Sequence, residues 1–217
     1  MVKSPAIANL QNVSGNHTDT LEYTYYMTNE PLIKYISEYV KISDLDIELL
    51  THFFKYERFS KSTVLEKENT IAQKLYFIKS GFIRTFYNEN EEEITTQIVG
   101  NNNFITGFNS FVTGTPSQDN VKCITECEVF YISKTDYDFL TQKSSTWGVF
   151  CKKIYEKAIS FNLQRTNDLL TLSAEKRYLK LMFDQPEVIQ NVPIQYIASY
   201  IGIKSESLSR IRKKIIS

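Results

Sequence analysis

The chain has 217 residues, 42% of them hydrophobic, enough to bury the core of one large domain or two small ones. It contains no apolar run near the ~18–20 residues that span a bilayer and no basic-then-apolar start of a secretory signal, so a soluble cytoplasmic protein is expected. Net charge is zero but uneven: residues 193–217 carry five basic side chains and one acid, the rest 20 basic and 24 acidic. A basic end on an acidic body suits a polyanion met through that end.

Residues 1–28, rich in Asn, Thr and Ser without a clear period, read as a weakly ordered extension. From Pro31 to about Lys55 the pattern is helical, with Leu32, Ile33, Ile36, Tyr39 and Val40, then Leu45, Ile47, Leu49, Leu50 and Phe53. Ser43 or Asp44 can cap the second piece.

From about Glu57 to Ser133 the chain turns to strands. Residues 75–87, LYFIKSGFIRTFY, have the form of a hairpin about Lys79-Ser80-Gly81. Residues 94–100 and 121–133 are further short strands; 101–103 and 113–119 are turns or loops. Many short strands at close intervals predict a barrel or double-sheet jelly roll, whose concave interior commonly holds a ligand. The three cysteines, Cys123, Cys127 and Cys151, make no disulfide framework and read as buried thiols. His17 and His52 lie far from them, so neither a metal nor another cofactor is expected. A metal-dependent jelly-roll enzyme needs clustered His and carboxylate ligands; residues 57–133 contain no His, which argues against an enzyme.

Lys134 to Leu140 reads as a short helix or turn. About Ser145 to Leu170 is one long helix, ~37 Å for ~25 residues. Phe150, Ile154, Ala158 and Phe161 share one face, the expected dimer seam. Residues 174–183 form the next helix, ended at Gln185-Pro186. Residues 187–192 leave room for a short strand or loop.

The last 25 residues, PIQYIASYIGIKSESLSRIRKKIIS, carry two helical stripes. Ile194, Ile197, Ala198 and Ile201 form the first; Gly202 supplies the turn. Leu208, Ile211 and Ile215 form the second, opposite Glu206, Ser209, Arg210 and Lys213. This is the pattern of a helix-turn-helix. Glu206, Ser209 and Arg210 are candidates for reading bases, Arg210 by pairing with guanine O6 and N7. Lys204, Ser205, Arg212, Lys213 and Lys214, with Gln195 and Ser199 on the first helix, are candidates for the DNA backbone.

The order of helices, β-roll, long helix and helix-turn-helix resembles the family of the catabolite activator protein and the fumarate–nitrate reduction regulator. The resemblance runs from about residue 30 to the end and is carried by YFIKSGFIR (76–84), CEVFYIS (127–133), SAEKRYLKL (173–181) and the last 25 residues. Glu206-Ser207-Leu208-Ser209-Arg210 matches the Glu-x-x-Ser-Arg pattern of the fumarate–nitrate reduction branch. The resemblance implies an α+β fold: a jelly-roll-like, double-stranded β-helix sensor (29–144), a dimerisation helix (145–170) and a winged helix-turn-helix (171–217). It implies a bacterial, homodimeric transcription regulator that binds an inverted-repeat operator in double-stranded DNA, with half-sites like TTGA or TGTGA, and contacts RNA polymerase. The chain as given ends before the family's second wing strand.

The resemblance also locates a candidate ligand pocket for a small-molecule effector: Arg84, Thr106, Gly107, Ser117, Gln118 and Asn162. The family's cyclic-AMP binders hold the ribose with a Gly-Glu pair and the cyclic phosphate with an Arg followed by Ser or Thr. Thr106-Gly107 and Ser117-Gln118 stand in those places, and no Arg or Lys lies between Arg84 and Lys122. A buried phosphate needs a cation or several N–H donors, so cyclic AMP is not the expected effector. The iron–sulfur branch needs an N-terminal cysteine cluster, and no Cys precedes Cys123. One other reading stays open: a sensor of cyclic nucleotides or other small ligands that acts through protein partners instead of DNA.

Overall fold

A computed structural model describes residues 29–216, with the side chain of residue 216 left aside. The extension expected over residues 1–28 lies outside the described residues. The first helices are α1 (residues 29–37) and α2 (Asp44–Phe53). Of the two capping candidates Ser43 is the cap: its side chain accepts from Asp46 N, and the Asp46 carboxylate accepts from Ser43 N at 3.0 Å.

Eight strands follow: β1 (Lys55–Phe59), β2 (Val64–Glu66), β3 (Lys74–Ser80), β4 (Ile83–Glu89), β5 (Glu92–Val99), β6 (Asn103–Ile105), β7 (Asn120–Cys123) and β8 (Cys127–Ser133). They form two four-stranded antiparallel sheets, ordered β1-β8-β3-β6 and β2-β7-β4-β5. A short helix, α3 (Phe108–Thr113), bridges β6 and β7.

The expected hairpin over 75–87 is not one. β3 and β4 lie in different sheets, so Gly81 marks a crossing between layers. The true hairpin is β4–β5, with Ile83 opposite Val99 and Glu89 opposite Glu92. Residues 121–133 likewise split into β7 and β8, one in each sheet. This brings Cys123 and Cys127 together inside the roll, although their strand setting gave no reason to expect them to converge. All three cysteines are free and buried.

Strand alternation builds two layers of core. Tyr76 and Ile78 point between the sheets, where they meet Ile83, Ile105, Val121 and Val129. Phe77, Phe130 and Ile132 point outward, under a helical cover containing Leu32, Leu50, Trp147 and Phe150. Both faces of β3 are covered, so it reads as a continuous apolar run.

The helical half follows: α4 (Lys134–Lys143), α5 (Ser145–Thr171), α6 (Ala174–Asp184), α7 (Pro186–Asn191), α8 (Ile194–Tyr200) and α9 (Ser205–Ile216). Serines 133, 144 and 173 cap α4, α5 and α6. Residues 186–191 are a helix, contrary to the expected strand or loop. Pro186 explains this: at the first helical position its fixed φ favours the turn and its missing N–H is no loss. Among the described residues the C-terminal unit is helical throughout, so the strands of the expected wing are not among them.

Gly81 has φ +98°, and a Cβ there would stand 2.3 Å from Glu126 O and 2.7 Å from Cys127 Sγ. Gly81→Ala therefore combines a disfavoured backbone with a clash against β8, and should destabilise the roll by roughly 2–5 kcal/mol. Urea unfolding monitored at Trp147 measures it; a loss below about 0.5 kcal/mol would mean that β8 can move away.

Candidate functional site

The two helices expected to form a helix-turn-helix are α8 and α9, joined by a glycine turn. Gly202 sits at φ +72°, and Ile203 N donates to Ala198 O at 3.0 Å while Gly202 N donates to Ser199 O at 3.0 Å. This glycine closure of a helix end satisfies carbonyls that would otherwise be orphaned. Ala198 and Leu208 are buried where the two helices meet. That inner packing leaves Glu206, Ser209 and Arg210 exposed on one side of α9, with Lys213 and Lys214 also exposed and Ser205 and Arg212 half-buried. Gln195 is exposed on α8.

Two backbone candidates already have partners in the roll. Ser199 Oγ accepts from Thr95 N at 2.8 Å and donates to Glu93 O at 3.2 Å. Lys204 Nζ lies 2.6 Å from Glu92 Oε2. Lys214 pairs with Glu175 on α6 at 2.9 Å.

The expected pocket residues do not all converge. Arg84 is fully buried, but it faces away from the roll interior. Its neighbour Ile83 points inward, so alternation sends Arg84 out through the other face. There it lies between the rings of Phe86 and Tyr196, 4.0 and 3.7 Å from their centroids, and ion-pairs with Glu93. It therefore offers no cation to a ligand in the roll. Asn162 and Gln118 are exposed.

Thr106, Gly107 and Ser117 do cluster, around Glu66, which the sequence reading did not single out. Glu66 Oε2 accepts from Gly107 N at 2.7 Å, and Thr106 Oγ1 lies 3.4 Å from Oε1. A Cβ added to Gly107 would stand 3.0 Å from Glu66 Oε2 and 3.1 Å from Ser117 Oγ, so the cluster is tight. Burial pushes the Glu66 carboxyl up to about 7, against the pull of its bonds from Gly107 and Thr106. The backbone N–H that opens α3 thus faces the protein's own carboxylate. No local periodicity pairs Glu66 with Gly107, since they come from different sheets and meet only when the two layers pack, across some forty residues.

The expected seam splits. Phe150 is buried in the roll's helical cover and Ile154 packs half-buried against it. Ala158 is exposed, and Phe161 lines a cleft with Arg165, Arg177 and Tyr200. Phe150 and Ile154 thus serve the chain's own body, because the outer aromatics of the roll need a cover. A second stripe stays outside: Val149, Lys152, Glu156, Ile159, Leu163, Thr166 and Leu170, at alternating spacings of three and four. Its apolar members are 49, 58, 67 and 82% exposed.

Among the described residues no group of three or more His, Cys, Asp or Glu could hold a metal, and no helix is long and apolar enough to cross a membrane.

The Glu66 proton should show in stability. Near pH 4 the carboxyl is protonated in folded and unfolded chains alike. Between there and about 7 the folded chain keeps a proton that the unfolded chain has released, so stability falls as pH rises and then levels. The loss should reach up to about 3 kcal/mol, and Glu66→Gln should remove that component. Urea midpoints at pH 5 and pH 8 measure it; an unchanged slope in the variant would place the proton elsewhere.

Residues 56–144 match the family described as the cyclic nucleotide-binding domain. No curated protein matches the chain. Several solved structures share its fold. The c-di-GMP-responsive global regulator CLP of Xanthomonas campestris is 19% identical, with 80% of this chain and 91% of that one covered and a TM-score of 0.59. A protein of Eubacterium rectale, assigned to the crp/fnr family of transcriptional regulators, is 14% identical, with 80% and 83% covered and a TM-score of 0.64. The catabolite activator protein of Thermus thermophilus is 14% identical, with 84% and 86% covered and a TM-score of 0.52. Residues 56–144 thus resemble the cyclic nucleotide-binding domain, set within a chain whose fold these solved regulator structures share.

Proposed function

We propose that the chain is a dimeric, sequence-specific DNA-binding transcription regulator whose roll does not take a cyclic nucleotide. The observation that carries the reading is the exposed Glu206, Ser209 and Arg210 face on the second helix of a closed helix-turn-helix. Arg210 has the fork to hold guanine O6 and N7, and Glu206 can accept from a cytosine amine. Lys213 supplies charge beside them without specifying sequence. The fold shared with known regulators supports the same reading.

The partner is a second copy of this chain. The outer stripe of α5 follows positions spaced alternately by three and four, the spacing that two helices wound around each other present, with Val149, Ile159, Leu163 and Leu170 apolar and Lys152, Glu156 and Thr166 between them. Leu163 sits near its middle and stays clear of the roll's own core. It replaces Ile154 as the position at which to test the seam.

The effector pocket lacks what a cyclic phosphate needs. Ser117 stands where the resembled binders place Arg, Gly107 stands where they place Glu, and the Glu66 carboxylate sits against Gly107 N. A cyclic phosphate would find this N–H already bonded to Glu66 and no cation beside it, and above about pH 7 it would also meet the carboxylate's charge, which is unfavourable in a buried site.

Selection from random duplexes should return an inverted repeat with half-sites about one helical turn apart. Arg210→Ala should then cost roughly 1–3 kcal/mol and relax selectivity at one guanine, whereas Lys213→Ala should weaken all sequences alike. Failure to recover a repeat would remove this reading. Leu163→Glu should give a folded monomer by sedimentation, because a lone carboxylate in an apolar seam costs several kcal/mol; a variant that stays dimeric would move the seam. Calorimetry with cyclic AMP or cyclic GMP should give no heat of binding; micromolar affinity for either would overturn the assignment of the roll.

A further inference from the structure

The hairpin joining β4 to β5 carries an unusual run. Residues 88–94 read Asn-Glu-Asn-Glu-Glu-Glu-Ile, with four carboxylates and no cation. Its tip is tight: Asn90 and Glu91 both have positive φ, at 49° and 66°. The hairpin does not project into solvent alone, because its β5 arm lies against α8 and the following turn.

Each contact falls on the side of the helix-turn-helix that would meet a DNA backbone. Glu92 holds Lys204 at 2.6 Å, and the Glu93 carbonyl and Thr95 N–H hold the Ser199 hydroxyl. The Glu93 carboxylate ion-pairs with Arg84, whose guanidinium stacks on Tyr196 of α8. Below these polar contacts Ile98 of β5 lies in one apolar cluster with Ile197, Ala198 and Ile201. Phosphate contacts at a helix-turn-helix come from lysines, hydroxyls and helix ends, and here a lysine and a hydroxyl are taken by a carboxylate and a strand backbone.

We propose that the β4–β5 hairpin is an internal competitor of DNA: it sets carboxylates and backbone groups where duplex phosphates would lie, and so holds the helix-turn-helix in a masked state. The proposal rests on the DNA-binding reading above. Base-reading residues Glu206, Ser209 and Arg210 remain exposed in this state. What is covered is the flank that fixes a duplex in register. Docking DNA in full requires the hairpin to leave Ser199 and Lys204. Apparent affinity is then reduced by the fraction of molecules that are unmasked.

The test uses the full-length protein and a fluorescent 30-base-pair duplex of arbitrary sequence at low salt. Glu92→Gln removes the carboxylate without changing any residue of the helix-turn-helix, and should bind roughly twofold to fivefold more tightly than the parent. Glu92→Lys should bind tighter still. Glu48→Lys, the same charge change on exposed α2, should have a smaller effect than Glu92→Lys, which separates unmasking from added positive charge. A second readout does not depend on any variant. Hydrogen exchange in the segment 88–96 should become faster when duplex is added, because Thr95 loses Ser199, although a DNA-contacting segment is usually protected. Equal binding by the parent, Glu92→Gln and Glu92→Lys, or unchanged or slower exchange in 88–96 with duplex bound, would overturn the mask while leaving DNA binding in place. Absence of duplex binding in the parent and in every variant would overturn both readings.

Discussion

The constraint on which this architecture depends is that the helix-turn-helix cannot complete its own core. Helices α6 to α9 are short, and a unit of under fifty residues buries too little apolar surface to be stable alone. Its cluster, built on Tyr178, Leu181, Val188, Ile197, Tyr200 and Leu208, is closed by Ile98 and Ile124 from the roll, with Phe82 packed beside them. Two arginines tie the same unit to α5, Arg165 from α5 itself and Arg177 from α6, which also donates to Leu172 O at 2.6 Å. Arg165 donates to Tyr200 O at 2.8 Å, and Arg177 donates to Ile201 O at 2.8 Å. These are carbonyls at the end of α8, where the helix dipole favours a cation. The C-terminal helical unit is therefore seated on the roll through a shared core, and any change at β5 is felt at α8.

The strength of that seating is distributed unevenly. Lys204 and Glu92 are both exposed, and such a pair is worth only about 0–1 kcal/mol. Burying one side chain the size of Ile98 is worth roughly 1.5–3 kcal/mol. The apolar contact thus supplies most of the hold, while the polar contacts decide which surface is covered. Arg84 joins the two. Its fully buried guanidinium is held between Phe86 and Tyr196 and neutralised by Glu93, so removing Glu93 would leave a buried charge unpaired. The hairpin is therefore built around a cation that belongs to the roll, and its register with α8 follows from where that cation must sit.

The elements were legible where the signal is local. Serine caps, the glycine turn at Gly202, the helix over 145–170 and the strand-rich middle follow from spacing and residue type. Pairing was not. LYFIKSGFIRTFY looks like a hairpin because a glycine separates two β-rich runs, yet a glycine also allows a strand to change sheets, and only the partners across β8 and β5 decide between these. The long helix shows the same limit. It carries two apolar stripes, and the bulkier one, with Phe150 and Ile154, looks like a seam until the outer aromatics of the roll are seen to need it. The thinner stripe through Ile159 and Leu163 is interrupted by Lys152, Glu156 and Thr166, so nothing in the spacing of its apolar residues sets it above the bulkier one.

The pocket was legible only by what is missing. The absence of Arg and Glu from the cassette is visible in the sequence, but the carboxylate standing at Gly107 comes from β2, far away in the chain. Its presence changes the physical argument. Without Glu66, the cassette would simply lack attraction for an anion. With it, the N–H that opens α3 is already satisfied, and an incoming phosphate must displace a bonded carboxylate or share the site with it. Above about pH 7, where Glu66 is ionised, an anion there would face a second negative charge without a cation, because strand alternation places Arg84 on the opposite face, against Tyr196 and Glu93. The same arginine that ties the helix-turn-helix to the roll is thus unavailable to the roll's interior. Its side of the sheet is fixed by the period of the strand, so the cation that stacks on α8 could serve a ligand in the roll only if β4 slipped by one residue.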